Sequence, residues 1–186
     1  MNDNTKVMIK EAQSIIAVAY ICAVGIGMLF NYQKFSEFGI SIFDYADVFD
    51  FLIAPFSDFK ILLFTIISIT LSYLFFQFDL FWKRKHPKSY SRVNFGWDKK
   101  VWYNSFRYIV FGILFLFYLY IFADKYGRSY KEEIITSSSI QIRFDDNEIK
   151  KGKMIGKTKD VIFLWNKNKV DIIPITSLVK EIEIMK

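Results

Sequence analysis

Charged side chains in or beside apolar segments are the strongest candidates for chemistry in this sequence. Asp44, Asp47 and Asp50 recur at every third residue in a segment that also contains several aromatic residues. Repeated around a symmetric oligomer, these aspartates would form acidic rings that favour cations at the mouth of a pore. Alternatively, they form the wet face of a short helix at a membrane surface. The spacing therefore predicts either an ion path or an interfacial helix.

Asp79 and Arg107 lie inside two apolar stretches that adjoin the same loop. Asp79 precedes Trp82 by three residues, and Arg107 follows Trp102 by five. In an antiparallel helical hairpin these positions lie about 4.5 and 7.5 Å from one interface, at about 1.5 Å per residue. Charges inside a membrane span pair with one another or line a wet path. We expect a salt bridge that pins two spans together or, alternatively, a polar contact at the inner mouth of a pore.

A second group of candidates combines basic residues with an aromatic ring near the C-terminus. Such a surface binds single strands by charge and stacking when it lies on a small β domain. Neighbouring acidic residues such as Asp160 dilute the charge, so a solvated mixed surface is the alternative. The candidate ligand-binding residues are Lys150, Lys151, Lys153, Lys157, Lys159 and Trp165. They predict a protein or oligonucleotide partner for this part of the chain.

The composition argues against enzymatic chemistry. Cys22 and His86 are the single cysteine and histidine, so neither a metal cluster nor a common nucleophile triad can be assembled. The stretch 152–158 resembles a phosphate-binding loop, but it has three residues between its glycines where that motif needs four. We therefore predict no catalytic residue, no metal site and no cofactor.

The elements that position these residues are three long apolar blocks. Hydrophobic residues make up 53% of the 186 residues and aromatic residues 19%, well above ordinary soluble usage. About 20 apolar residues cross the hydrocarbon core, which predicts spans at about 12–32, 59–82 and 102–123 in a transmembrane domain 1–123. Gly25 and Gly27 leave room for another helix to approach the first span.

Loop charge predicts the topology. The loop after the second span is basic, whereas the loop after the first span is acidic. Basic short loops stay in the cytoplasm, so the N-terminus is expected inside an inner or plasma membrane and the C-terminal domain outside it. Basic residues at the cytoplasmic surface also predict contact with anionic lipids. These residues are Lys83, Arg84, Lys85 and Lys88.

The acidic loop itself has the pattern of a short helix. Ser41 and Asp44 have the Ser-x-x-Asp form of a capping box. Apolar residues follow at helical spacing, and Pro55 is expected to stop the helix. We therefore predict an amphipathic interfacial helix over about 41–55.

After Ala123 the hydrophobic pattern changes to a period of two. Alternating segments predict strands near 139–144, 148–158, 161–165, 170–174 and 179–184, with turns at 145–147 and 166–169. Closing five short strands into a barrel removes exposed edges. The predicted fold class is thus an α+β membrane protein: three transmembrane helices plus a small five-stranded β-barrel-like C-terminal domain over 134–186.

The run from Ser139 to Ile184 resembles the strand order of Sm-like and SH3-like barrels, and "VDIIPITSLV" is similar to the end of the β domain in small mechanosensitive channels. The third span is bulkier than the pore helix of those channels, so their pore is not implied. The layout also resembles small bacterial three-span membrane effectors of anti-phage defence. These resemblances imply a homo-oligomeric, non-enzymatic effector or ion channel gated through its β domain. The alternative is a membrane-anchored sensor or scaffold subunit whose β domain binds a partner.

Overall fold

The computed structural model describes residues 3–144, 148–167, 169–175 and 179–184. The predicted turn at 145–147, and Asn168 in the other turn, lie outside the described residues. Short 3₁₀ turns at Ile42–Asp44 and Trp97–Lys99 accompany the α-helices. The α-helices are α1 (Asp3–Ser36), α2 (Val48–Ser57), α3 (Phe59–Lys85), α4 (Pro87–Val93) and α5 (Tyr103–Thr136).

The three predicted spans are confirmed as helices long and apolar enough to cross a membrane. The candidate spans are Met8–Ser36, Phe59–Lys85 and Tyr103–Thr136, each with a mean hydropathy of 2.0 in its most apolar window. Their length and composition are those of a multi-pass membrane protein.

The predicted change to strand pattern after Ala123 is wrong, because α5 continues to Thr136. The extension is helical because its buried side chains recur at helical spacing: Ala123, Tyr126 and Ile134 are buried while the charged residues between them are not. Residues 134–136, which were expected to open the β domain, therefore belong to the helix.

The predicted capping box at Ser41 is also wrong. Ser41 precedes a 3₁₀ turn and makes no side-chain cap hydrogen bond. The capping box forms at Asp47, whose carboxylate accepts hydrogen bonds from the backbone N–H groups of Phe49 and Asp50, while the Asp50 carboxylate accepts from the Asp47 N–H. Pro55 lies inside α2, which ends at Ser57. The helix thus begins later in the chain than predicted.

The strands form an open antiparallel sheet. β2 is shared, since residues 149–152 pair with β1 and 153–157 pair with β3, with a bulge between Met154 and Gly156. The strands are β1 (Ile140–Phe144), β2 (Ile149–Lys157), β3 (Val161–Asn166), β4 (Lys169–Pro174) and β5 (Val179–Ile184), in the order β4-β3-β2-β1-β5. The α+β class is confirmed. The predicted five-stranded barrel is not, because the edge strands β4 and β5 do not pair in the described residues; Pro174, at the end of β4, has no N–H to donate.

Contacts divide the chain into two compact units. The first, here called the sheet unit, comprises Met1–Ile61 and Ala123–Lys186. The second, here called the hairpin unit, is Leu62–Phe122. The first unit therefore contains both the first candidate span and the sheet. The predicted division into a transmembrane domain 1–123 and a β domain was based on composition alone.

One core of the sheet unit joins helices to strands. Phe35 of α1 packs edge-to-face on Phe163 of β3, with ring centroids 5.1 Å apart, and Ile134 of α5 joins the same cluster. This helix–sheet core consists of Phe35, Ile40, Ile42, Phe51, Ile134, Ile155 and Phe163. The sheet is thereby fixed to the ends of α1 and α5 by apolar burial.

A second core lies on the opposite face of β3. Ile162 and Leu164 alternate with Phe163 and therefore point away from the helices. They pack with Ile140 and Ile142 of β1 and with Ile173 of β4. Met154 of β2, the strand between β1 and β3, packs against the same cluster.

Glycines allow close approaches within the sheet unit. A Cβ on Gly27 of α1 would lie 1.8 Å from the Phe51 carbonyl oxygen of α2. A Cβ on Gly127 of α5 would lie 2.6 Å from the Gln33 carbonyl oxygen of α1. The expected close approach at the first span is therefore found at Gly27, while Gly25 has nothing within 4 Å of its Cβ position.

Aromatic contacts fill the interface between α3 and α5 in the hairpin unit. Phe64 and Phe122 stack with ring centroids 5.3 Å apart, and Phe76 meets Phe111 edge-on at 5.1 Å. Ser68 and Ser72 are buried on α3 and provide space for bulky neighbours. The two helices therefore associate through rings and small residues, which suits packing in lipid.

We expect Gly27→Ala to destabilise the protein, because the added methyl meets backbone that cannot rotate away. Overpacking of this kind costs about 1–3 kcal/mol. Unfolding of the detergent-solubilised protein, followed by circular dichroism, measures the change. Gly25→Ala is the matched control and should be neutral or slightly stabilising, since alanine is the better helix former. Equal stability losses in the two variants would contradict the packing described here.

Candidate functional site

A buried ion pair joins the two long helices of the hairpin unit. Nη2 of Arg107 lies 2.6 Å from Oδ2 of Asp79. The contact is a close ion pair rather than an aligned hydrogen bond, and Nε of Arg107 is buried without a hydrogen-bond partner in the described part of the chain. The guanidinium also lies over the Phe76 ring, 5.2 Å from its centroid. The predicted pairing is confirmed, whereas a role in a pore stays a prediction.

A network of hydroxyl groups extends this ion pair toward the loop. The Tyr90 hydroxyl donates to Oδ2 of Asp79 at 3.2 Å and lies 3.0 Å from the Tyr103 hydroxyl, which donates to Oδ1 of Asn94 at 2.7 Å. The two tyrosine hydroxyls have only two hydrogens for these three contacts, so one contact has no hydrogen of its own. The contact from Tyr90 to Asp79 is the longest of the three. Arg107 is therefore the principal partner of the Asp79 carboxylate. We call these five residues the Asp79 cluster.

Tyr90 is fully buried although it belongs to the short helix α4. Its ring packs edge-on against Trp82 with centroids 5.6 Å apart, and the Asn94 side-chain amide donates to its carbonyl oxygen. Burial raises the pKa of the Tyr90 hydroxyl well above its ordinary value, and the hydrogen bonds with Tyr103 and Asp79 raise it further. Tyr90 therefore remains a protonated donor. The hydrogen bonds of Tyr90 were not predicted, because a loop has no regular hydrophobic pattern that would indicate which of its residues are buried.

The three acidic residues of the ion-path hypothesis lie near one another in the sheet unit. Asp47 and Asp50 form the capping box of α2, and Asp44 ends the preceding 3₁₀ turn. Asp44 and Asp47 are exposed, and Asp50 is half-buried. Their local role is to start a helix, which agrees with the interfacial-helix alternative; the acidic ring stays a prediction because it depends on copies of the chain.

The predicted lysine surface is divided among different surroundings. Lys150 lies over the Phe144 ring at 5.4 Å, and Lys153 donates to the carbonyl oxygen of Ile135 at the end of α5. Lys151, Lys157 and Lys159 are exposed, and Lys157 also lines a cavity described below. Trp165 packs against Phe38 with ring centroids 6.3 Å apart. The residues therefore do not form one continuous stacking platform, because the bulge in β2 changes the alternation of its side chains.

Polar contacts also connect α5 to the start of α3 in the sheet unit. The Tyr126 hydroxyl donates to Oδ2 of Asp58 at 2.6 Å, and Lys60 forms an ion pair with Glu133. One turn further along α5, the Tyr130 hydroxyl donates to the Ile155 carbonyl oxygen of β2 at 2.7 Å. The helical extension of α5 thus carries direct hydrogen bonds to both α3 and the sheet.

A cavity of about 280 Å³ opens between α1, α2 and the end of β2. Lys34 of α1 and Lys157 of β2 both line it. The Lys34 ammonium lies 4.2 Å from the centroid of the Tyr130 ring and 5.0 Å from that of Phe35. Sequence reasoning did not identify Lys34 as a site residue; its position two residues after the predicted span 12–32 is the signal that was present.

The fold and these clusters define a class: a chain with three helices long and apolar enough to cross a membrane, of which the first and the third pack against a small antiparallel sheet. No known family model matches the chain, and no curated protein matches it either. The functional assignment therefore depends on the geometry.

Breaking the buried ion pair should cost far more than breaking an exposed one. Asp79→Asn leaves the Arg107 guanidinium buried without a carboxylate, which costs about 3 kcal/mol or more. Asp124→Asn removes the exposed i,i+4 pair with Arg128 and should cost less than about 1 kcal/mol. Unfolding in detergent compares the two variants.

The double variant Asp79→Asn/Arg107→Gln should recover part of the lost stability, because it removes the unpaired charge as well. An Asp79→Asn variant as stable as Asp124→Asn would contradict a structural role for the cluster.

Proposed function

We propose that the chain is a non-enzymatic membrane effector that acts as a homo-oligomer and conducts ions under the control of its sheet. The observation that carries this proposal is the helix–sheet core. Phe35 and Ile134 belong to long helices, Phe163 belongs to β3, and all three share one cluster. A ligand that moves the sheet therefore acts on two helices directly.

Close packing makes this connection mechanical. Protein interiors pack at the density of organic crystals, so they transmit displacement rather than absorb it. The hydrogen bond from Tyr130 to Ile155 adds a fixed polar link between α5 and β2. A ligand shifts such a system only by binding one arrangement more tightly than the other. The sheet is thus a suitable input element and the helices a suitable output.

The oligomer follows from the number of spans. Three helices cannot enclose a sizeable aqueous path, so conduction requires several copies of the chain. The N-terminal half of α1 supports this assembly, because its large apolar side chains such as Ile15, Ile16 and Ile21 are exposed and need lipid or other copies as neighbours. Asp44, Asp47 and Asp50 would then line the outer mouth.

A role in bacterial anti-phage defence is proposed on the architecture alone: a membrane effector of this layout depolarises the cell when its β domain receives a signal. We further propose that the N-terminus is cytoplasmic and the sheet extracytoplasmic, and that the basic end of α3 contacts anionic lipids. Lys83, Arg84 and Lys85 occupy the last turn of that helix, and Lys88 follows in α4.

The open sheet supports a second candidate, a membrane-anchored sensor or scaffold that conducts nothing. The outer side of β4 has no strand partner in the described residues. Such an edge accepts an additional strand from another protein through main-chain hydrogen bonds. An oligonucleotide at the lysine residues is less well supported, because these side chains are dispersed. Tight liposomes together with a co-purifying strand-donating partner would favour this candidate.

Ion flux from liposomes tests the channel. Asp44→Asn and Asp47→Asn should each lower cation permeability by about fivefold, the effect of about 1 kcal/mol for one charge at about 4 Å in water, and so reduce the selectivity for cations over anions. Asparagine also caps helices, so Asp47→Asn removes the charge while retaining the cap. Asp171→Asn on β4 is the control and should leave selectivity unchanged. No flux from the wild-type protein, or unchanged selectivity in both variants, would rule out the acidic path.

Cysteine labelling in intact cells tests the topology. In a Cys22→Ser background, Lys169→Cys places one exposed thiol at the start of β4. The loop charges predict that a membrane-impermeant maleimide labels it before lysis. Labelling only after lysis would reverse the topology and place the sheet in the cytoplasm.

A further inference from the structure

We propose that the cavity between α1, α2 and the end of β2 binds the phosphodiester headgroup of a membrane phospholipid. This inference concerns the sheet unit alone and does not depend on whether the protein conducts ions. The cavity measures about 280 Å³, near the lower bound of small-ligand pockets. The polar residues that line it are Asn31, Lys34, Asp50, Ser57, Lys157 and Thr158.

The Lys34 ammonium indicates an anionic ligand. It lies over the rings of Tyr130 and Phe35 but makes no hydrogen bond or close ion pair in the described part of the chain. Asp58 contributes an attractive charge, yet its carboxylate already accepts hydrogen bonds from the Tyr126 hydroxyl and the Lys60 N–H. An ammonium group has three donors, and phosphate oxygens accept charge-assisted hydrogen bonds from such groups.

Lys157 supplies a second cation from a different element. It is the last residue of β2 and lines the same cavity, followed by Thr158, whose hydroxyl accepts the N–H of Val161. Two lysines from separate elements can hold one phosphate between them, and Asn31 adds a side-chain amide. Such a group would bridge α1 to β2 at the place where the helix–sheet core begins.

The surroundings favour a lipid over a soluble phosphate. Lys34 lies within the last turn of the first candidate span, where a charged residue reaches headgroup depth. Phe49, Ile53 and Phe56 of the adjacent helix α2 are exposed by 66%, 57% and 72%. Ile53 also lines the cavity, so apolar surface continues from the phosphate position to the outside of α2. Acyl chains would cover that surface.

Asp50 determines which headgroup fits better. Asp50 lines the same cavity as Lys34 and Lys157. It repels a further negative charge and attracts a positive one, so the lining matches a phosphate that carries an amine. We therefore infer a preference for phosphoethanolamine over phosphoglycerol headgroups.

Native mass spectrometry of the full-length protein from detergent tests the inference. The probes are phosphatidylethanolamine, phosphatidylglycerol and the soluble sn-glycerol 3-phosphate, each added to delipidated protein. We expect phosphatidylethanolamine to bind most tightly, and Lys34→Gln to weaken its binding by about tenfold, the loss of one charge-assisted hydrogen bond. Lys34→Arg should retain binding, and Asp50→Asn should reduce the difference between the two lipids.

Lys159→Gln is the matched control, because Lys159 is exposed in the turn after β2 and does not line the cavity. This variant should bind phosphatidylethanolamine as tightly as the wild-type protein does. If Lys34→Gln and Lys159→Gln weakened lipid binding equally, the lipid would be held by general attraction to surface charge, and the proposed site would be wrong. Binding of glycerol phosphate as tight as that of the lipids would assign the cavity to a soluble phosphate ester and overturn the lipid assignment.

Discussion

The last turns of α1 carry the constraint on which the sheet unit depends. Three other elements approach this short segment, and each does so at a glycine. Gly27 admits the backbone of α2, Gly127 of α5 lies against Gln33, and Gly156 of β2 lies against the Phe35 ring, where a Cβ would be 3.1 Å from Cζ. A side chain at Gly27 or Gly127 would meet backbone and push two helices apart, whereas a Cβ on Gly156 would press on the Phe35 side chain. These glycines therefore permit the close approach of α2, α5 and β2 to the end of α1.

Much of the architecture follows from periodicity, and the failures occur where periodicity is ambiguous. The strands were predictable because alternation is local: Ile140 and Ile142 point to one core without reference to any other element. The extension of α5 was missed because its many charges resemble a loop. Tyr126, Tyr130 and Ile134 nevertheless recur at spacings of four, and that pattern was available in the sequence.

The candidate sites also include contacts that local sequence rules predict and contacts that they do not. The pairing of Asp79 with Arg107 could be predicted from the helical rise per residue and an antiparallel arrangement. The depth of each residue in the membrane was counted from a tryptophan at the end of its span. The partners Tyr90 and Asn94 come from a loop that folds back, and no local rule gives its path. The choice between Ser41 and Asp47 as helix cap was equally open, because both are followed three residues later by an aspartate. In the structure Asp47 is the cap of α2, which begins at Val48, and the Phe51 backbone of this helix lies against Gly27.

The two units differ in what their charges can do. In the hairpin unit the Asp79 carboxylate and the Arg107 guanidinium form a buried ion pair, and the guanidinium lies over the Phe76 ring. In the sheet unit the Lys34 ammonium has no close acidic partner among the residues that the structure describes, and it lies next to Phe35 in the helix–sheet core. A lipid phosphate bound there, as proposed above, would act on the packing of the strands against the helices. Any response to a ligand would therefore begin at the end of α1, where the cavity, the core and the three glycines meet.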